Sequence, residues 1–268
     1  MQKRGLKGGE CPDSWNLSHP DQVLEVARQY VDAGSRIILT NTFGASRLSL
    51  AKYKLGDSAV EINAAGVEIS KQAAGDRASV FASIGPSGKM LITGETTEDE
   101  LQICFEEQAN AQARAGADGI IVETMIDIDE ARITAIAAKQ TGLPVIVSMV
   151  YDSGENKDRT MMGNTPEEVV KEITKIGVDG IGANCGQGIE AFLPICKRMR
   201  QATDLPIWIK PNAGLPEIVD DKTVFRTTAQ EFVEYIPDLI HAGANFVGGC
   251  CGTDQEFVKA IREAVAEL

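Results

Sequence analysis

The 268-residue chain has no run of about 18 apolar residues, the length that a membrane-spanning helix requires. Its opening residues, MQKRGLKGGECPD, lack the apolar segment of a secretory signal, so a cytoplasmic location with no membrane partner is expected. Positive charge is in short supply. Against 39 Asp and Glu there are 26 Lys and Arg, a net charge of -13, which would repel nucleic acid and anionic membranes alike. We read this excess as a solubilising surface. There are two histidines, His19 in the first turn of an expected helix and His241 in the last turn of another, and neither is placed as a metal ligand. No G-x-G-x-x-G turn is present, which removes the main signal for a dinucleotide-binding open sheet. Six cysteines in a chain of this length are not a disulfide framework, and in a reducing compartment they are core residues, metal ligands or nucleophiles.

What is present is a repeated unit. An amphipathic helix, a glycine near its end and a short β-branched run recur at Gly34 before RIILTN, Gly116 before GIIVET, Gly177 before GIGANC and Gly243 before FVGGCC. Glycine adopts the left-handed conformation that closes a helix, so each marks a helix-to-strand junction. Helix starts carry a Ser, Thr or Asp followed three residues later by an acid: Ser18 with Asp21, Thr97 with Glu100, Asp127 with Glu130, Thr165 with Glu168, and Thr253 with Glu256. Seven strands are predicted, near residues 36, 80, 119, 145, 180, 206 and 246. Apolar on both faces and separated by helices, they read as parallel strands of an α/β protein. Length and spacing favour a single (β/α)8 TIM-type barrel domain over residues 1–268, one strand short.

Such barrels carry their chemistry at the C-terminal ends of the strands, which here bear Asn41 and Thr42, Ser83, Glu123 and Thr124, Tyr151 and Asp152, Asn184 and Cys185, Asn212, and Cys250 and Cys251. Two strands therefore end in cysteine. Three thiolates suit Zn²⁺, and three protein ligands leave a fourth position open, the pattern of a catalytic site. Adjacent residues of a regular strand face opposite ways, so Cys250 and Cys251 can serve one ion only if the backbone leaves strand geometry, which Gly248, Gly249 and Gly252 permit. Cys104 and Cys196 fall in amphipathic helices and read as small apolar residues, and Cys11 falls in a loop. Zn²⁺ with three thiolates carries a net charge of -1 (2 − 3), a poor activator of water. A fourth thiolate makes the site -2 and electron-rich, which favours alkylation of sulfur.

The segments GANCG (182–186), KPNAGLP (210–216) and GGCCGT (248–253), with TNTFGAS (40–46) and ADGIIVETMID (117–127), resemble the homocysteine-binding domain of the homocysteine S-methyltransferases, with wording most similar to the cobalamin-dependent methionine synthases. The resemblance implies that Cys185, Cys250 and Cys251 bind zinc and that the thiolate of homocysteine supplies the fourth ligand. It implies that Glu123 recognises the substrate amino group and Asn212 helps to hold its carboxylate. Asn184 either orients the ligand loop or satisfies turn backbone groups.

Relatives in this family begin with a strand and a glycine-rich turn ahead of a segment like MQKRGL, so the first barrel strand is expected to be missing or truncated. The methyl donor implied is methylcobalamin on a separate corrinoid protein. The alternatives are a betaine or sulfonium donor, another thiol acceptor, or a non-catalytic subunit that holds zinc or homocysteine. A vicinal disulfide at Cys250 and Cys251 would leave Cys185 unexplained. An oligomer is compatible with all of these readings.

Overall fold

The computed structural model describes residues 1, 4–219 and 222–268. Two compact units emerge, Met1–Glu123 with Asp129–Val145, and Thr124–Ile128 with Ile146–Leu268.

The first unit carries strands β1 (Ile37–Leu39), β2 (Ser79–Ile84) and most of β3 (Gly119–Met125). They are parallel neighbours, with Ile37 opposite Ser79 and Phe81 opposite Gly119. Helices Pro20–Asp32, Ala59–Ala74, Glu98–Arg114 and Ile128–Lys139 belong to the same unit. Val31, Ile38, Ala73, Ala74 and Val80 form one of its apolar clusters, which ties helix to strand. Burying each such side chain contributes about 1.5–3 kcal/mol for the larger members, and this holds the layers together.

The second unit carries most of β4 (Val145–Met149), β5 (Gly180–Gly188), β6 (Ile207–Asn212), an antiparallel pair β7 (Glu217–Val219) and β8 (Lys222–Val224), and β9 (Phe246–Val247). β4, β5, β6 and β9 are parallel in that order, with Ile146 opposite Gly180, Ile181 opposite Ile207 and Trp208 opposite Phe246. β4 is buried throughout, as expected of a strand covered on both faces. Among the described residues the parallel strands of each unit follow chain order, β1-β2-β3 in the first and β4-β5-β6-β9 in the second. This is an α/β fold of the (β/α)8 TIM-barrel class, with seven parallel strands among the described residues. All seven lie where the sequence predicts them, and Gly34, Gly116, Gly177 and Gly243 all take positive φ at their junctions.

The helix starts agree in part. Thr97 with Glu100 and Thr165 with Glu168 form complete capping boxes. Ser18 is no cap, because Pro20 takes the first helical position and His19 the cap, while Ser18 closes a preceding turn, Trp15–Ser18. Thr253 is displaced by one residue. Its hydroxyl donates to the Cys250 carbonyl at 2.8 Å, and Asp254 caps the helix Gln255–Ala266 instead. The β7–β8 pair and a third capping box, Thr228 with Glu231, lie outside the sequence-based expectations. Among the described residues no helix is long and apolar enough to cross a membrane.

Candidate metal centre

β5 approaches β6 closely because Gly182 has no side chain: a Cβ there would lie 2.1 Å from the Trp208 carbonyl oxygen. The pairing then slips between Asn184 and Gly188. Within the slip Cys185 takes φ +63°, a left-handed conformation that costs a non-glycine residue roughly 1–2 kcal/mol. Strand alternation is lost there, and consecutive side chains need not point to opposite faces.

β9 ends at Val247, ahead of the doublet. Its ladder continues through Gly248 N–H to Ile209 O at 3.0 Å and Cys250 N–H to Pro211 O at 2.7 Å. At the next residue a side chain replaces the backbone acceptor, and Cys251 N–H donates to Asn212 Oδ1 at 3.1 Å. Ala213 N–H returns to Cys251 O at 2.9 Å, and Thr253 closes the turn on Cys250 O. Gly252 completes it at φ +82°, where the Phe225 ring leaves no room for a Cβ. The doublet thus lies in a pinned turn beyond the strand.

The three sulfurs of Cys185, Cys250 and Cys251 lie within 4.8 Å of one another, with Cys185 and Cys251 at 3.8 Å. A tetrahedral Zn²⁺ with Zn–S bonds of about 2.3 Å requires S···S edges of about 3.8 Å. Spacing and donor softness therefore both fit zinc. Among the described residues no other group of three His, Cys, Asp or Glu side chains is gathered closely enough to hold a metal ion. Hydrogen bonding with Cys250 and Cys251 pulls the Cys185 thiol below its ordinary value. Their own values are pushed up, first by the bond to Cys185 and also by burial.

Asn184 ties the cluster to two further strand ends. Its Oδ1 accepts from Thr124 N–H at 3.0 Å and Ser148 Oγ at 2.6 Å, and its Nδ2 donates to Thr124 Oγ1 at 2.7 Å and Cys250 Sγ at 3.8 Å. One side chain thus meets both the turn backbone at Thr124 and the Cys250 sulfur. Asn212 is buried with its Oδ1 on the Cys251 amide. Glu123 belongs to the first unit, where its buried carboxylate accepts from Ser83 Oγ at 2.6 Å. Cys104 and Cys196 are buried away from the cluster and their thiols are pushed up by desolvation, to about 11 for Cys196. Cys11 is buried within its loop. Ser148 escaped the sequence-based list, although a polar residue in the apolar run VIVSM was a visible signal.

The sequence model of the family described as Homocysteine S-methyltransferase matches residues 2–265. Methionine synthase of Mycobacterium leprae (strain TN) is 27% identical over 98% of the chain, and that of Mycobacterium tuberculosis (strain ATCC 25618 / H37Rv) is 27% identical over 99%. The chain spans 22% and 23% of the lengths of these relatives. Among solved structures, the homocysteine methyltransferase MmuM from Escherichia coli superposes in its metallated form with a TM-score of 0.82 at 21% identity, covering 98% of this chain and 91% of that one. Its apo form gives 0.76 at 20% identity. The chain belongs to the homocysteine S-methyltransferase family.

Proposed function

We propose that this member of the homocysteine S-methyltransferase family is a zinc-dependent enzyme that methylates homocysteine to methionine. The observation that carries the reading is the gathering of three cysteine sulfurs from two strand ends within 4.8 Å. Cys185, Cys250 and Cys251 would hold Zn²⁺, which supplies an open fourth position for the substrate thiol and favours its thiolate at neutral pH.

The remaining steps belong to the chain's own side chains. Asn184 fixes the approach of Cys250, and Asn212 fixes the amide of Cys251, so the ligand atoms are oriented before anything binds. Cys185 and Cys250 are half-buried and Cys251 is exposed, so the cluster is open on the Cys251 side to an incoming thiol. Glu123 is assigned the substrate ammonium, and Asn212 the substrate carboxylate, on the family motif.

The methyl donor we propose is a corrinoid-bound methylcobalamin. Incubation of the zinc-loaded chain with homocysteine and a methylated corrinoid donor is expected to yield methionine with loss of the methyl-cobalt absorbance. An unchanged spectrum with zinc present would reject the corrinoid donor, and betaine and sulfonium donors would then be compared. Homocysteine binding without turnover on any donor would instead make the chain a binding subunit.

A further inference from the structure

Ser83, whose hydroxyl meets Glu123, is gripped in an unusual way. β1 stops pairing at Leu39, opposite Phe81, while β2 continues to Ile84. Between the backbone bonds from Thr40 N–H to Phe81 O at 3.1 Å and from Gly85 N–H to Phe43 O at 2.8 Å, side chains take over the ladder on this edge. Ser83 N–H donates to Thr40 Oγ1 at 3.0 Å, and Ser83 O accepts from Thr42 Oγ1 at 2.8 Å and from Gln112 Nε2 at 3.1 Å. Thr40 Oγ1 and Thr42 Oγ1 are 2.6 Å apart, and Gln112 Nε2 also donates to Asn63 Oδ1 at 2.8 Å. Thr40, Thr42, Asn63, Ser83 and Gln112 are all buried.

Counting protons gives the network a direction. Thr42 spends its hydroxyl proton on Ser83 O, so Thr40 must donate to Thr42, and Thr40 Oγ1 is left to accept from Ser83 N–H. The Ser83 hydroxyl is then committed outward, to Glu123 Oε1 at 2.6 Å, within the short range of hydroxyl-to-carboxylate bonds. A strand that needed stability alone could be completed by backbone pairing. Here three side chains fix the backbone of one serine whose remaining donor points at one carboxylate.

We propose that Ser83, held by Thr40, Thr42 and Gln112, is a positioning residue that fixes the Glu123 carboxylate for recognition of the substrate's ammonium group. This deepens the assignment of Glu123 and rests on it. Rigid placement of an acceptor matters because a hydrogen bond to a charged group weakens steeply as its angle opens. Ser83 does not touch the reacting sulfur, and its loss should affect recognition of the amino group alone.

The test compares the affinities of the zinc-loaded protein for homocysteine and for 4-mercaptobutyrate, the same molecule without its amino group, by calorimetry. Wild type is expected to prefer homocysteine, and Glu123→Gln to abolish most of that preference. Ser83→Ala is expected to shrink the preference roughly tenfold by weakening homocysteine, leaving 4-mercaptobutyrate within about twofold and zinc content unchanged. Ser83→Thr, which keeps the hydroxyl, should restore the preference, an outcome that a packing role would not produce. If Glu123→Gln collapses the preference while Ser83→Ala keeps it, the positioning role is overturned and the Glu123 assignment stands. If Glu123→Gln itself keeps the preference, the assignment falls and the proposal falls with it.

Discussion

In the first unit a carboxylate is held by strands whose ladders are extended with ordinary hydroxyl and amide side chains, whereas in the second unit three sulfurs stand where the ladders are broken. Glu123 sits on a strand with a regular parallel neighbour and meets Ser83, itself fixed by Thr40, Thr42 and Gln112. Cys185 lies in a register slip at φ +63°, and Cys250 and Cys251 follow a strand of two residues. The difference follows from what is being positioned. One carboxylate can be aimed by hydrogen bonds from the edge of a strand. Three sulfurs at one point demand that adjacent residues face the same way, which a pleated strand forbids.

The largest expected effect would break the sulfur side outright. Cys185→Ala is expected to reduce zinc from one ion per chain to near zero and to lower methionine formation by more than about 100-fold, beyond the loss typical of residues that only orient ligands. Metal analysis and turnover on the same samples check this. A zinc-free wild type with full activity would remove the distinction between the two regions.

Asn184→Ala comes next, because this one side chain serves Thr124, Ser148 and Cys250. Zinc affinity, measured by competition with a chelator, should weaken roughly 10- to 100-fold. The orphaned Ser148 hydroxyl and Thr124 amide should also cost about 1–3 kcal/mol of stability. Equal zinc affinity in variant and wild type would reduce Asn184 to a turn filler.

Thr42→Val sharpens the contrast from the other side. It removes the hydroxyl that serves Ser83, Thr40 and Gln112 while conserving shape, and should cost about 1–3 kcal/mol in denaturant unfolding with zinc content unchanged. A fall in zinc content would mean that the two regions are not separable in this way.

The same contrast explains what could be read from the sequence. Broken strands leave marks: the glycines around Cys250 and Cys251, and the cysteine followed by glycine in GANCG, make the sulfur cluster legible in the sequence. The Ser83 network leaves none, because Thr, Ser and Gln at strand ends and on helices are common, and their partners lie far along the chain, as Gln112 does from Thr42. The seven strands were legible through their apolar runs and the glycines before them. The β7–β8 pair was not, since EIV is exposed and carries no burial pattern. The cap at Thr253 was misread because its hydroxyl serves the cysteine turn, a contact that no local rule anticipates.

The smallest effect expected is a control inside the second unit that uses neither device. Arg198 pairs with Glu167 at 2.6 Å and with Asp158 at 2.5 Å on partly exposed side chains. The bond from Arg198 holds the Glu167 carboxyl down at about 2, below its ordinary value of 4.5. A carboxyl whose folded-state pKa is depressed stabilises the fold above its unfolded pKa and loses that contribution as pH falls through the folded one. Glu167→Gln should therefore lower stability by a constant amount above about pH 5, and the difference from wild type should vanish towards pH 2. Solvent screening of the exposed pair limits the effect to about 0.5–1 kcal/mol. Thermal unfolding of both proteins from pH 7 to pH 2.5 reads this directly. A difference that persists undiminished at pH 2.5 would assign the loss to packing of the Glu167 stem. Zinc content at pH 7 should be identical in the two proteins, because a surface ion pair on the helices leaves the broken strand ends untouched.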